Sequence, residues 1–320
     1  MAGARRNRFV RNRIDGHAGP VRAIRCRKGS GAIRPSRRAN RSYYAVRMTD
    51  WQAFTVETKD HVAQVTLTGP GKGNAMGPDF WRELPEIFRG LDADPEVRAI
   101  VLTGSGRHFS YGLDLPAMAG TFGPLLADKA FAAPRTAFLD EVRRMQASVT
   151  AVADCRKPVI AAVSGWCIGG GLDLIAAVDI RYASADAKFS LREAKVAIVA
   201  DIGSLHRLPG IIGEGQLREL AFTGKDIDAA RAERIGLVNE VFPDQAAALD
   251  AAHATAREIA DNPPLVVQGV KDVLAQRRAS EVAEGLRYVS AWNAAFLPSE
   301  DLTEAIQAVF EKRPPQFKGR

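Results

Sequence analysis

The sequence predicts an α/β domain followed by a helical tail, and three features of the 320-residue chain carry that reading. Short apolar or alternating runs, read as strands, interleave with segments of helical period up to about residue 183. Three consecutive glycines lead from one such strand into a helix. Beyond residue 245 only helical patterning remains.

Residues 54–58 and 62–67 alternate apolar and polar and read as a hairpin closed by a Lys59-Asp60 turn. Residues 78–91 place Phe80, Leu84, Ile87, Phe88 and Leu91 at helical spacing. The apolar run 99–102, ended by Gly104-Ser105-Gly106, predicts a buried strand and a turn. A helix is expected over 136–154, with Phe138, Val142, Met145 and Val149 on one face. Pro158 opens a strand over 159–163, a helix is expected over 169–177, and a short strand over 180–183. Residues 245–261 and 264–277 are Ala- and Leu-rich helices. Residues 281–296 put Val282, Leu286, Val289 and Phe296 on a stripe expected to meet the core or a subunit contact.

The net charge of +7 conceals two unlike parts. Residues 1–47 hold thirteen Arg and one Lys against one acid, Asp15, leaving 30 basic and 36 acidic residues in 48–320. The basic part has few large aliphatics and no period, so it cannot bury enough apolar surface to fold alone. It reads as a disordered extension. The preferred origin is a gene-start artefact, with translation beginning at Met48. A mitochondrial-type presequence and a basic arm for nucleic acid or a membrane surface stay open. The remainder gives no electrostatic reason to bind nucleic acid, so none is expected for the folded domain. Apolar runs such as 158–163 fall well short of the roughly 20 residues that cross a bilayer, so no membrane partner is expected.

Cys26, Cys155 and Cys167 are odd in number and form no CxxC, and the five histidines form no HExxH. The thiols read as inert, a reducing, cytoplasmic location is expected, and no metal site is expected. The simplest organisation is the extension 1–47, a core over 48–245, and a helical region over 246–320.

The glycines Gly169, Gly170 and Gly171 let a ligand approach backbone and present N–H groups that a helix leaves unpaired. Such groups suit a phosphate or an oxyanion, or simply tight helix–strand packing. No Lys-Ser/Thr follows them, so they form no P-loop, and neither a GxGxxG nor a GxSxG is present at this turn. Three acids follow: Asp173 inside the glycine-led helix, then Glu193, then Asp201. Asp201 lies in the nearly uncharged run 196–203, where burial would raise its pKa and suit it to proton transfer. A helix cap near Ser204 or an ion pair with Arg207 is the structural alternative.

These residues resemble the crotonase (enoyl-CoA hydratase/isomerase) superfamily from about Trp51 to Arg320. The resemblance is carried by Gly73-Asn74-Ala75-Met76, the 108–115 run His-Phe-Ser-Tyr-Gly-Leu-Asp-Leu, the 157–173 run and Asp179-Ile180-Arg181-Tyr182. It continues through Arg207-Leu208-Pro209, Thr223-Gly224, 232–238 and 310–317. It implies a crotonase-type spiral of ββα units with a C-terminal helical trimerisation region, and assembly as a homotrimer or dimer of trimers. It implies an acyl-CoA substrate, with coenzyme A part of the substrate and no separate cofactor. It also implies an oxyanion hole from the N–H groups of Leu113 and Gly170. Backbone around Asn74, Ala75 and Met76 is the implied contact for CoA. Lys72, Arg107 and Lys318 are candidate partners for its phosphates, against a plain solvated role. His108 and His206 read as structural.

Within the superfamily, hydratases carry Glu at the positions of Asp173 and Glu193, and usually Gly at that of Asp201. The Δ3,5-Δ2,4-dienoyl-CoA isomerases carry Asp, Glu and Asp, as this chain does. The resemblance therefore implies an isomerase in which Glu193 and Asp201 move the two protons and Asp173 gives polar support. An enoyl-CoA hydratase of fatty acid β-oxidation is the alternative. A non-catalytic acyl-CoA- or RNA-binding homologue is the alternative from another class. Three positions depart from the isomerase pattern. Lys195 stands where Asp is preferred and is expected to pair with Glu193 and lower its pKa. Ala197 stands where Gly is preferred. Tyr111 is bulkier than the usual small residue and is expected to narrow the acyl pocket.

Overall fold

The hairpin strands β1 (Phe54–Lys59) and β2 (Val62–Leu67) pair antiparallel with Lys59 opposite Val62. That register makes Asp60 and His61 the turn, both at positive φ (50° and 65°). The turn thus sits one residue later than Lys59-Asp60, because a two-residue hairpin loop needs left-handed backbone at both positions to match strand twist. In this computed structural model residues 51–125 and 130–320 are described, so the basic extension, Cys26 and Met48 lie outside the described residues.

Helix α1 (Pro78–Ala93) begins on a proline, whose missing N–H an N-terminus leaves unused anyway. Strand β3 (Ala99–Gly104) follows, then the one-turn α2 (Ala119–Phe122) and the long α3 (Ala132–Ala153). Next come β4 (Val159–Val163), β5 (Trp166–Ile168) and α4 (Gly170–Ala176). Strands β6 (Ile180–Ser184) and β7 (Lys188–Ser190) lead to a 3-10 turn at Glu193–Val196 and the short α5 (Ser204–Arg207). Helix α6 (Glu214–Thr223), β8 (Asp226–Asp228), α7 (Ala229–Arg234) and β9 (Glu240–Phe242) close this part. Four helices finish the chain: α8 (Gln245–Ala260), α9 (Pro264–Gln276), α10 (Ala279–Phe296) and α11 (Glu300–Glu311).

The strands form two sheets, one ordered β1-β2-β3-β4-β6-β9 and the other β5-β7-β8. From β2 onward the larger sheet is parallel, so each return of the chain needs a crossover. Each crossover visits the smaller sheet: β4 leads to β5, and β6 to β7. Two single bridges, Ser110 to Cys167 and Met76 to Leu113, extend that second ladder to the loops after β3 and β2. The chain is therefore a spiral in which each turn adds a strand to the large sheet and a segment to the small one.

Both faces of the large sheet are covered, which is why β3 reads as an unbroken apolar run. Ile100 and Leu102 join the main core, while Ala99 and Val101 pack with Ala252, Ala256 and Ala260 of α8. The alanine at every fourth position lets α8 lie close to the sheet. The stripe expected along 281–296 divides in the structure. Leu286 and Val289 are buried, but Phe296 is exposed and stacks on Trp292 with ring centroids 4.6 Å apart. The buried face of α10 instead admits two polar residues, Ser290 and Asn293. No helix among the described residues is long and apolar enough to cross a membrane.

Candidate active site

Two glycines bring the loop after β3 against the turn before α4. Gly112 has φ +78°, and a Cβ there would sit 2.6 Å from Ile168 O and 3.0 Å from Gly170 N. Gly169 has φ +52°, and its N–H donates to Ser190 O on β7 at 3.0 Å. Met76 bonds to Gly112 O and to the N–H of Asp114, so the intervening Leu113 N–H points to the other side. Gly170 is the first residue of α4, where a helix N–H has no intrahelical partner. Neither the Leu113 nor the Gly170 N–H meets an acceptor among the described residues. Two free donors on adjacent backbones thus share one place.

All three acids open on that place. A cavity of about 490 Å³ is lined by Leu113, Gly170, Asp173, Glu193 and Asp201 together. Its walls are apolar, from Trp81, Phe122, Phe138, Met145 and Leu297 among others. Burial is the main cause that raises all three carboxyls. Asp173 is restrained by a hydrogen bond from the Ser204 N–H to Oδ1 at 2.6 Å and by the Arg207 charge. Glu193 is pushed up further by the negative charges of Asp173 and Asp201, and its enclosed Oε2 has no hydrogen-bond partner. Asp201 is raised to about 7, against the pull of a hydrogen bond from Asn293. Its Oδ2 accepts from Asn293 Nδ2 at 2.7 Å.

The structural alternative for Asp201 does not describe its contacts. The N–H of Ser204 is taken by Asp173 instead, and Arg207 donates to Thr150 Oγ1 at 3.0 Å. The expected pairing of Lys195 with Glu193 is corrected too. Lys195 lies over Gly224, where an added Cβ would come 3.0 Å from its Cγ, and no ion pair between Lys195 and Glu193 occurs among the described residues. Ala197 adopts φ +56° as the cap of the 193–196 turn, a conformation glycine takes without strain. Tyr111 lines the cavity, and its ring covers Gly73 and lies against His108 with ring centroids 5.0 Å apart. His108 accepts from the Trp166 N–H at 3.2 Å, a structural contact.

The residues read as CoA contacts fall into three groups. Lys72 and Ala75 line a second cavity of about 540 Å³, which shares Tyr111, Leu113 and Leu115 with the first and is walled by α11. Asn74 and Met76 are buried and held within the protein. The Asn74 amide donates to Ser105 O and His108 O at 2.9 and 2.8 Å, and the Met76 carbonyl accepts from Trp81 at 3.2 Å. Arg107 and Lys318 line neither cavity, and the Lys318 backbone N–H donates to Asp301 at 2.6 Å. Sequence reading missed Asn293 and Gln146, the two amides that grip residue 201, because each sits on a stripe that otherwise reads as core. A polar residue inside an apolar helical face was the available signal.

Residues 57–320 match the family described as enoyl-CoA hydratase/isomerase. A Dictyostelium discoideum protein named mitochondrial Δ(3,5)-Δ(2,4)-dienoyl-CoA isomerase is 43% identical, over 85% of this chain and 94% of its own. An Arabidopsis thaliana protein named peroxisomal Δ(3,5)-Δ(2,4)-dienoyl-CoA isomerase is 41% identical, over 81% of this chain and 94% of its own. The crystal structure of an enoyl-CoA hydratase/isomerase from Mycobacterium paratuberculosis superposes with a TM-score of 0.71 at 30% identity, covering 80% of this chain and 98% of that one. These relatives overturn the expected cytoplasmic location, since those named by compartment are mitochondrial or peroxisomal. Cysteines that form no disulfide framework do not separate the cytosol from an organelle interior. With a spiral of this topology, a family match across nearly all of the described residues, and relatives above 40% identity, the chain belongs to the enoyl-CoA hydratase/isomerase family.

Proposed function

We propose that this enzyme converts a 3,5-dienoyl-CoA to a 2,4-dienoyl-CoA. The observation that carries the reading is Asp201, a third buried carboxyl opening on the same apolar cavity as Glu193. The relatives named for this reaction support it.

The thioester oxygen would lie between the N–H groups of Leu113 and Gly170. Donors already aimed at the developing negative charge make the C2 proton more acidic. One carboxylate takes the C2 proton, electrons move along the conjugated chain, and the other carboxyl returns a proton at C6. Glu193 and Asp201 carry these two transfers. Their raised pKa values suit both directions of transfer near neutrality. Asp173 gives polar support: the Ser204 N–H occupies its Oδ1, and its side chain is a methylene shorter than the Glu that hydratases carry there to hold a water with the second acid. The apolar walls exclude water from the enolate.

Lys72 and the backbone at Ala75 are proposed as CoA contacts at the second cavity. The residues Leu265, Val266, Val270, Val273 and Leu274 leave an apolar face of α9 exposed, and we assign it to contact between copies in a trimer. Light scattering that gave a monomer at micromolar concentration would contradict that assignment.

The test of the reaction is an ultraviolet assay on 3,5-dienoyl-CoA beside 2-enoyl-CoA. The expected result is a rise in conjugated-thioester absorbance with the dienoyl substrate. Turnover of 2-enoyl-CoA alone, by hydration, would sink the reading.

A further inference from the structure

Two amides from different helices meet at residue 201. Asn293 on α10 is 1% exposed and donates from Nδ2 to Val199 O at 2.8 Å and to Asp201 Oδ2 at 2.7 Å. Gln146 on α3 donates from Nε2 to Asp201 O at 2.6 Å and Leu286 O at 3.0 Å. The two grips differ in kind. Gln146 touches only backbone oxygens, while Asn293 also holds the carboxyl.

The chemistry fixes which way the Asn293 amide faces. A carbonyl oxygen such as that of Val199 can only accept, so the amide nitrogen must face it. Both protons of Nδ2 are then committed, and Asp201 Oδ2 is always an acceptor. Asn293 is the only side chain among the described residues that donates to this carboxyl. A carboxyl whose one oxygen is held as acceptor carries its proton on the other. Burying an amide in an otherwise apolar face is unfavourable unless its groups are used, and here both donors are.

We propose that Asn293 is a positioning residue for Asp201, fixing Oδ2 as acceptor and leaving Oδ1 as the oxygen that exchanges a proton with substrate. The proposal rests on the reading of Asp201 as a proton-transfer group. When Asp201 donates, the Oδ1–H bond breaks as the C–H bond forms, and the carboxylate left behind is stabilised through Oδ2. When it accepts, the same changes run in reverse. The charged groups facing Asp201 are Asp173 from α4 and Glu193 from the 193–196 turn, with Arg207 of α5 acting on Asp173. Helices α3 and α10 present only the uncharged amides of Gln146 and Asn293.

The experiment compares Asn293→Leu with Gln146→Leu. Each removes one buried amide that grips the same segment, so general loosening should be alike. Two readouts are taken: the titration of the Asp201 carboxyl by carbon-13 NMR, and kcat and KM on 3,5-dienoyl-CoA. Asn293→Leu should move the titration upward by on the order of one pH unit and lower kcat about tenfold or more, with KM changed less than about threefold. Gln146→Leu should lower the melting temperature and leave the titration in place. Asn293→Ser, which retains a donor in less volume, serves if the leucine variant does not fold, and should shift the titration less. An unmoved titration in the Asn293 variants, or an equal shift in Gln146→Leu, would overturn the proposal. The NMR arm reads out without turnover, so an enzyme inactive on the dienoyl substrate would sink the reaction assignment separately.

Discussion

The carboxylate of Glu193 rests against Gly169, where an added Cβ would lie 3.2 Å from Oε1. The glycine run therefore serves the acid as well as the backbone donors. Gly169 also has φ +52° and ψ −117°, a conformation that side chains disfavour strongly. Gly169→Ala should lower kcat on the order of tenfold or more and destabilise the fold by about 1–3 kcal/mol. Gly215→Ala in α6, with open space around the added methyl, is the control and should leave kcat unchanged and the fold no less stable, by up to about 1 kcal/mol more. Steady-state kinetics and thermal melts check the pair. A Gly169→Ala enzyme of normal kcat would show that the contact with Glu193 has no functional weight.

Ala197 holds a left-handed φ of +56° while its N–H caps the turn that carries Glu193. The departure from the isomerase pattern at this position is thus a strained residue where glycine would be relaxed. Ala197→Gly relieves that strain but loosens the unfolded chain, and the first effect should prevail by roughly 0.5–1 kcal/mol. A melting temperature that falls in Ala197→Gly would contradict this.

The raised carboxyls make stability depend on pH in a definite sense. Folding lifts the Asp201 pKa from 3.8 to about 7. The folded chain therefore binds this proton more tightly than the unfolded one. Stability from this group is fully present below about pH 4 and declines as pH rises through about 7. Asp201→Asn removes the burden of a buried charge, so it should raise the melting temperature at pH 8.5 relative to the unaltered enzyme and raise it much less at pH 4. Equal shifts at both pH values would show that the carboxyl is not ionising against its surroundings.

Legibility differed by element for physical reasons. Helices α1, α3 and α8 and strands β2 and β4 carry long or dense apolar patterns and were readable to within a few residues. Strands β5, β7 and β8 have three residues each, too few to show a period, and exist only through their pairing with one another. The hairpin turn was displaced because composition favours Lys-Asp while the register selects Asp60-His61. At the site, the glycines and three acids were visible as residue types in unusual settings. That Asp173, rather than Asp201, receives the Ser204 N–H depends on where α4 points, which no local pattern encodes. The Lys195 misreading has the same origin, since nearness in sequence did not become nearness of charge.

The proposed transfer of one of the two protons by Asp201 is isolated by Asp201→Asn, which nearly preserves the Asn293 contact and the cavity volume. The measurement is the rate of 2,4-dienoyl-CoA formation at 3,5-dienoyl-CoA saturation, with bound substrate verified by KM. The expected result is a fall in kcat of about a hundredfold or more, within the range removal of a general acid or base produces, and little change in KM. An Asp201→Asn enzyme that isomerises at the unaltered rate would contradict it.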